Sequence, residues 1–145
     1  MKTQYAQRNT HDAFTLIELM IVVIIIAALA AMVIPRLSGR TEQAKVTIAE
    51  ADINSNIAMA LKLYELDNGN FPITEQGLNA LLSKPSSNPV PSNWKGPYLE
   101  KKPIDPWKNP YQYKCPGQHN PSTYDLYSLG KDGLENTEDD VKNWE

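Results

Sequence analysis

Two groups of carboxylates are the residues of this chain best able to do chemistry. The first is the run Asp132-Gly133-Leu134-Glu135-Asn136-Thr137-Glu138-Asp139-Asp140, which gathers acids in a short segment after Gly130. Hard cations such as calcium take several oxygen ligands from carboxylates and backbone carbonyls, and acids this close repel one another when no cation sits among them. The spacing is not that of an EF-hand loop, so composition leaves a solvated acidic tail open beside a cation site. The second group is a lone acid, Glu18, at the start of a long apolar run. A carboxylate at the centre of a bilayer costs about 2.5–3.5 kcal/mol, less near the interface, so Glu18 calls either for a partner or for headgroup water. Enzymatic chemistry has little to stand on. His11 lies in a polar N-terminal stretch, His119 is isolated in a Pro-rich turn, and no nucleophile motif or phosphate-cradling glycine loop is present.

The element that holds Glu18 is an apolar segment over residues 14–34, whose polar members are Thr15 and Glu18. A helix of that length spans about 30 Å, one hydrocarbon core. Residues 1–13, with Lys2, Arg8, His11 and Asp12, read as a targeting leader outside the fold. An ordinary secretory signal peptide, with cleavage at Ala28-Leu29-Ala30, is the competing reading and would release a soluble periplasmic binding protein. Basic residues flank the span on both sides, Lys2 and Arg8 before it and Arg36, Arg40 and Lys45 after it, so charge alone sets no orientation.

Proline use divides the remainder. Of 11 prolines only Pro35 precedes residue 72, so residues 36–71 are free to be helical and residues 72–121 are mostly not. Val46, Ala49, Ile53, Ile57, Leu61 and Tyr64 recur at spacings of three and four, which predicts a helix burying that face against a small domain while Lys45, Glu50, Asp52, Lys62 and Glu65 point outward. Pro35 is expected to kink this helix, and Asp67-Asn68-Gly69-Asn70 to end it in a left-handed turn. Thr74 is expected to cap a short helix to about Ser83, with Leu78, Leu81 and Leu82 inward. Residues 84–97 read as an irregular loop. Tyr111-Gln112-Tyr113-Lys114 and Tyr124-Asp125-Leu126-Tyr127-Ser128-Leu129 read as antiparallel strands, two or three in all. A net charge of −3 excludes the basic footprint that neutralises phosphates, so nucleic acid is not a partner. The single cysteine, Cys115, forms no intramolecular disulfide and reads as a half-buried strand residue.

Ala13-Phe14-Thr15-Leu16-Ile17-Glu18-Leu19-Met20 is similar to the prepilin-peptidase site of type IV pilins and type II secretion pseudopilins. The resemblance implies cleavage between Ala13 and Phe14, where the family usually carries glycine before the cut, and methylation of the new amine. It further implies that Glu18 pairs with the Phe14 amine of a neighbouring subunit. Leu66-Asp67-Asn68-Gly69, Phe71-Pro72, Thr74-Glu75-Gln76-Gly77-Leu78, Trp94-Lys95-Gly96-Pro97-Tyr98-Leu99, Asp105-Pro106-Trp107, Asn109-Pro110-Tyr111-Gln112-Tyr113 and Ser128-Leu129-Gly130 extend the likeness. They resemble the major pseudopilins of type II secretion rather than pilins in general, so a type IV pilus-like subunit is the nearer alternative.

What this implies is an α+β, pilin-like fold: a long N-terminal helix, half transmembrane and half amphipathic, packed on a small antiparallel sheet with a C-terminal calcium loop. Leader 1–13, filament-core helix 14–35, amphipathic half 36–67 and periplasmic domain 68–145 are the expected divisions. By motif position, structural calcium would be held by the side chains of Asp132, Asp139 and Asp140 and the backbone oxygens of Leu129 and Leu134. The implied partners are further copies of the chain in a filament, prepilin peptidase, minor pseudopilins, an inner-membrane assembly platform and, before assembly, the lipid bilayer. The implied function is structural: a pseudopilus driving folded proteins through the outer membrane.

Overall fold

The helix that opens the chain begins where a threonine and a glutamate can close its first turn, and it ends at a glycine. A computed structural model describes residues 14–144, with the side chains of 33–38 outside the description. The leader at residues 1–13, including Ala13, lies outside the described residues. The elements run α1 Leu16–Ala51, a π-helical turn Asp52–Asn56, α2 Ile57–Asn68, a 3-10 helix Gly77–Leu81, β1 Gln112–Lys114, β2 Asp125–Ser128 and β3 Val141–Lys142. Contacts group them into two units that meet in sequence at Arg40 and Thr41.

In the first unit, the backbone of α1 is helical through Pro35. Its large apolar side chains from Phe14 to Met32 are exposed. Among the described residues no helix is long and apolar enough to cross a membrane. The expected span of 14–34 runs into residues whose side chains lie outside the description.

The second unit closes a core of its own. Ala49, Ile53, Ile57, Leu61 and Tyr64 are each at most 1% exposed, and Val46 packs against them half-buried, so the spacing of three and four has its predicted consequence. One departure from α geometry falls inside that stripe. The Ile57 N–H reaches back to the Asp52 carbonyl, one residue further than in an α-helix. This wide turn sets Asp52 beside Asn56, whose amide donates to it at 2.7 Å, and presents its other oxygen to the Tyr111 hydroxyl at 2.9 Å. The helix stops at Gly69, which takes φ 83 and donates its N–H to the Glu65 carbonyl.

The sheet is antiparallel in the order β1-β2-β3, with Tyr113 opposite Leu126 and Ser128 opposite Val141. Tyr111, Tyr113, Leu126 and Val141 complete the core with Leu78, Ala80 and Leu81. The Tyr113 hydroxyl, buried, donates to the Pro72 carbonyl at 2.7 Å, which satisfies the polar end of an otherwise apolar residue. The expected helix from Thr74 to about Ser83 is instead the shorter 3-10 helix, and Thr74 does not cap it. Its hydroxyl exchanges hydrogen bonds with the backbone of Cys115, as donor at 3.0 Å and acceptor at 2.9 Å. A tertiary partner won over the local cap because Cys115, following β1, is brought alongside. Cys115 itself is half-buried.

Two buried aspartates tie the irregular segments to the sheet. Asp105 accepts the N–H groups of Trp107 and Asn109 through one oxygen and the Ser128 hydroxyl, at 2.5 Å, through the other. Asp125 accepts the N–H groups of Gln118, His119 and Asn120 at 2.7–2.9 Å. Burial pushes the Asp125 carboxyl up, but those donors outweigh it and hold it below 3.8. Gly117 fits this turn because a Cβ there would collide with the Asp125 carboxylate. His119 is pinned as well: it stacks on Trp144 at 4.2 Å, with Nδ1 3.1 Å from Asp125.

Candidate functional site

Glu18 has a local partner that its surroundings in the sequence already encode. Thr15 precedes α1 and accepts the Glu18 N–H on its hydroxyl at 3.2 Å, while the Glu18 carboxylate reaches back to the Thr15 N–H at 3.5 Å. This is a capping box, the reciprocal pairing that satisfies two orphan donors at a helix start. Both contacts are exposed, as are Phe14 at 81%, Leu16 at 78% and Ile17 at 66%. Phe14 and Glu18 therefore share one helix end; Ala13 lies outside the described residues.

The acidic loop is shaped by backbone donors. Gly130 takes φ +61, and a Cβ there would strike the Asp139 backbone carbonyl, so the turn out of β2 admits glycine for two independent reasons. Asp139 accepts the N–H groups of Lys131 at 2.7 Å and Asp132 at 3.0 Å on one oxygen. Its other oxygen accepts the Thr137 hydroxyl at 2.8 Å. Those bonds, the Asp132 N–H foremost and the Thr137 hydroxyl next, hold the Asp139 carboxyl below 3.8. Asp132 accepts the Leu134 N–H at 2.8 Å, and Asp140 accepts those of Asn136 at 2.8 Å and Thr137 at 3.2 Å.

Three oxygens converge on Thr137. Its hydroxyl lies 2.8 Å from Asp139 Oδ1, 3.3 Å from Asp132 Oδ1 and 3.2 Å from the Leu134 carbonyl. A hydroxyl has one proton to give, so it satisfies one of these acceptors at a time. The second oxygen of Asp140 is buried with no hydrogen-bond partner among the described residues. Side chains or backbone of Asp132, Asp139 and Leu134 are thus brought together, with Asp140 joined through the N–H of Thr137. Leu129 enters no hydrogen bond of this convergence among the described residues, and among them no group of three His, Cys, Asp or Glu is arranged to hold a metal ion. Glu135 is drawn elsewhere: it accepts the Tyr127 hydroxyl and pairs with Lys114 at 3.1 Å, partners that together lower its carboxyl. The Thr137 and Glu135 roles escaped the sequence reading, which counted acids and passed over the threonine lying in their midst.

Comparison with known proteins resolves which family uses this architecture. Residues 36–144 match the family model described as type II secretion system (T2SS), protein G, and residues 8–34 match the prokaryotic N-terminal methylation motif. The chain belongs to the type II secretion protein G family. It is 53% identical over 143 residues to the type II secretion system core protein G of Pseudomonas aeruginosa, covering 96% of this chain and 99% of that one. With the core protein G of Escherichia coli strain K12 it shares 44% identity over 132 residues, 90% of this chain and 89% of the relative. The crystal structure of the major pseudopilin from enterohaemorrhagic Escherichia coli superposes with a TM-score of 0.67 at 41% identity, covering 74% of this chain and 89% of that one. Members of this family are structural subunits, not enzymes, and this chain is a pseudopilin of pilin-like fold.

Proposed function

We propose that the chain polymerises into a periplasmic pseudopilus that drives folded proteins through the outer membrane. The observation that carries this reading is the row of exposed apolar side chains from Phe14 to Met32, lying within the stretch 8–34 that matches the methylation motif. Burying a Leu or Ile side chain is worth about 1.5–3 kcal/mol, so a row of them demands a cover. Lipid supplies it before assembly, with residues 14–34 as a single inner-membrane span and the second unit in the periplasm. Neighbouring copies supply it in the filament.

Cleavage between Ala13 and Phe14 would leave an amine four residues before Glu18, placing a cation at one subunit for the carboxylate of the next. In a filament core of low dielectric, that pair stabilises only if both charges meet. Prepilin peptidase performs the cut, and an inner-membrane platform with minor pseudopilins receives the subunit. Mass spectrometry of the membrane-extracted protein tests the scheme: a chain beginning at methylated Phe14 is expected, and one beginning at Ala31 would replace the filament with a soluble periplasmic protein.

Calcium in the acidic loop is the second part of the reading. Two carboxylates and a carbonyl facing one hydroxyl, with a further carboxylate oxygen buried and unpartnered, are the donor set a hard cation neutralises. Asp132, Asp139, Asp140 and the backbone oxygens of Leu129 and Leu134 would hold it, and its role is to stabilise the fold. At a hundredfold excess over Kd, binding to the folded form alone adds about 2.7 kcal/mol. Thermal melts of the full chain in detergent should rise with calcium over chelator; equal midpoints would remove calcium from the scheme.

A further inference from the structure

Two dipeptides of this chain set a glycine nitrogen after a side-chain carbonyl carbon, Asn68-Gly69 and Asp132-Gly133. In each, the nitrogen can attack that carbon and close a cyclic imide, because glycine has no Cβ to obstruct the approach. In an unstructured chain the asparagine reacts faster, since an ionised carboxylate resists a nucleophile. The fold treats the two sites differently. The Gly69 N–H is committed to the Glu65 carbonyl at 2.7 Å, in the turn that ends α2. The Asn68 amide donates to the Tyr64 carbonyl at 2.9 Å, and its Oδ1 is buried with no hydrogen-bond partner among the described residues. Attack there would break the cap and build charge on an oxygen that no donor reaches. At the other site, the Gly133 N–H donates no hydrogen bond among the described residues. A Cβ built on Gly133 meets no residue beyond its chain neighbours closer than Asn109 Nδ2 at 3.9 Å, so the backbone has room to turn. Asp132 is exposed, and its Oδ1 accepts the Leu134 N–H at 2.8 Å and lies 3.3 Å from the Thr137 hydroxyl. Those donors sit where negative charge develops as the carbon becomes tetrahedral.

We propose that folding reverses the intrinsic order, making Asp132-Gly133 a site of spontaneous isomerisation and silencing Asn68-Gly69. The Gly133 nitrogen bonds to Asp132 Cγ and gives up its proton, a Cγ–O bond breaks, and water leaves. Water then adds to either imide carbonyl, and the proton returns to nitrogen. Opening at Cγ restores aspartate; opening at the main-chain carbonyl leaves the chain running through the side chain, as isoaspartate. The sum is an isomerisation with no oxidant or other co-reactant. The product has an extra main-chain methylene and carries its carboxylate away from Leu134 and Thr137, so the acidic loop changes shape with age. The inference rests on neither the filament nor the calcium reading.

The full chain in detergent with chelator is aged at neutral pH, either folded or in denaturant, and digested for mass spectrometry. Electron-transfer fragments identify isoaspartate at 132, and the mass gained when an amide becomes an acid identifies conversion of Asn68. In denaturant Asn68 should lead, and its conversion there sets the clock. In the folded chain residue 132 should lead, with Asn68 slowed at least about tenfold because attack must await local opening of the cap. Asn68 leading in the folded chain overturns the proposal. So does residue 132 converting more slowly folded than unfolded, or showing no isoaspartate by the time Asn68 has converted in denaturant. Thr137→Val keeps Gly133 and removes one donor, and it should slow conversion at 132 about twofold or more; an unchanged rate refutes the part given to the hydroxyl.

Discussion

Leu29 and Leu61 are the same residue type in helical backbone, yet Leu29 is 59% exposed and Leu61 0%. The two units differ in this way along their length. The second folds its apolar stripe against Leu81, Leu126 and Tyr113, whereas in the first the large apolar side chains from Leu19 to Met32 are exposed. One helix pattern is therefore periodic because a domain lies on one side, and the other is apolar all round, which is what the proposed cover by lipid or other helices requires. Substitutions in the first unit should act on assembly, and those in the second on folding.

Glu18→Leu separates the two most sharply. It should abolish filaments while leaving the melting midpoint of the second unit where it was; normal filaments would show that the acid serves only the capping box. Leu61→Ala should do the reverse, costing about 2–5 kcal/mol in denaturant melts of the full chain, the range for buried Leu truncation. Leu29→Ala should leave that midpoint unmoved. Gly130→Ala should cost about 1–3 kcal/mol from its positive φ and added contact with Asp139, and it should weaken any calcium response in the same melts.

Acid should act on the second unit next. Asp125 and Asp139 are both held below 3.8 when folded, so their stabilisation is complete above that unfolded-state value and is lost as pH falls through the folded ones. The midpoint is thus expected to stay flat above about pH 5 and to fall below about pH 4. Asp125→Asn should lower the plateau and shallow the acid limb, and an unchanged limb would assign the loss to other groups. The smallest effect belongs to Thr15→Ala, which removes one side of the capping box and should cost the start of α1 about 1 kcal/mol. Faster hydrogen exchange confined to the first turn is its signature.

What was legible in the sequence was whatever repeats or signals locally. The stripe from Val46 to Tyr64, the glycine at 69, the two strands and the leader-adjacent motif could all be read from spacing and residue type. The Thr15-Leu16-Ile17-Glu18 box was equally local and lay hidden behind the membrane argument. β3 was not legible, because Val141 and Lys142 are too short a run to show alternation and become a strand only by pairing with β2. The π-helical turn was not legible either, since Asp52 takes its carboxylate partner from Tyr111, distant in the chain.

The sequence by itself determined an apolar N-terminal helix carrying one acid, an amphipathic continuation, and an acid-rich loop after a glycine, because each is a property of residues near one another in the chain. The tertiary structure decided which acids do which work. Asp105 and Asp125 became buried anchors, Glu135 was taken by Lys114 and Tyr127, and Asp132 and Asp139 were turned onto Thr137. A carboxylate's role depends on the donors that reach it, and those donors arrive by folding.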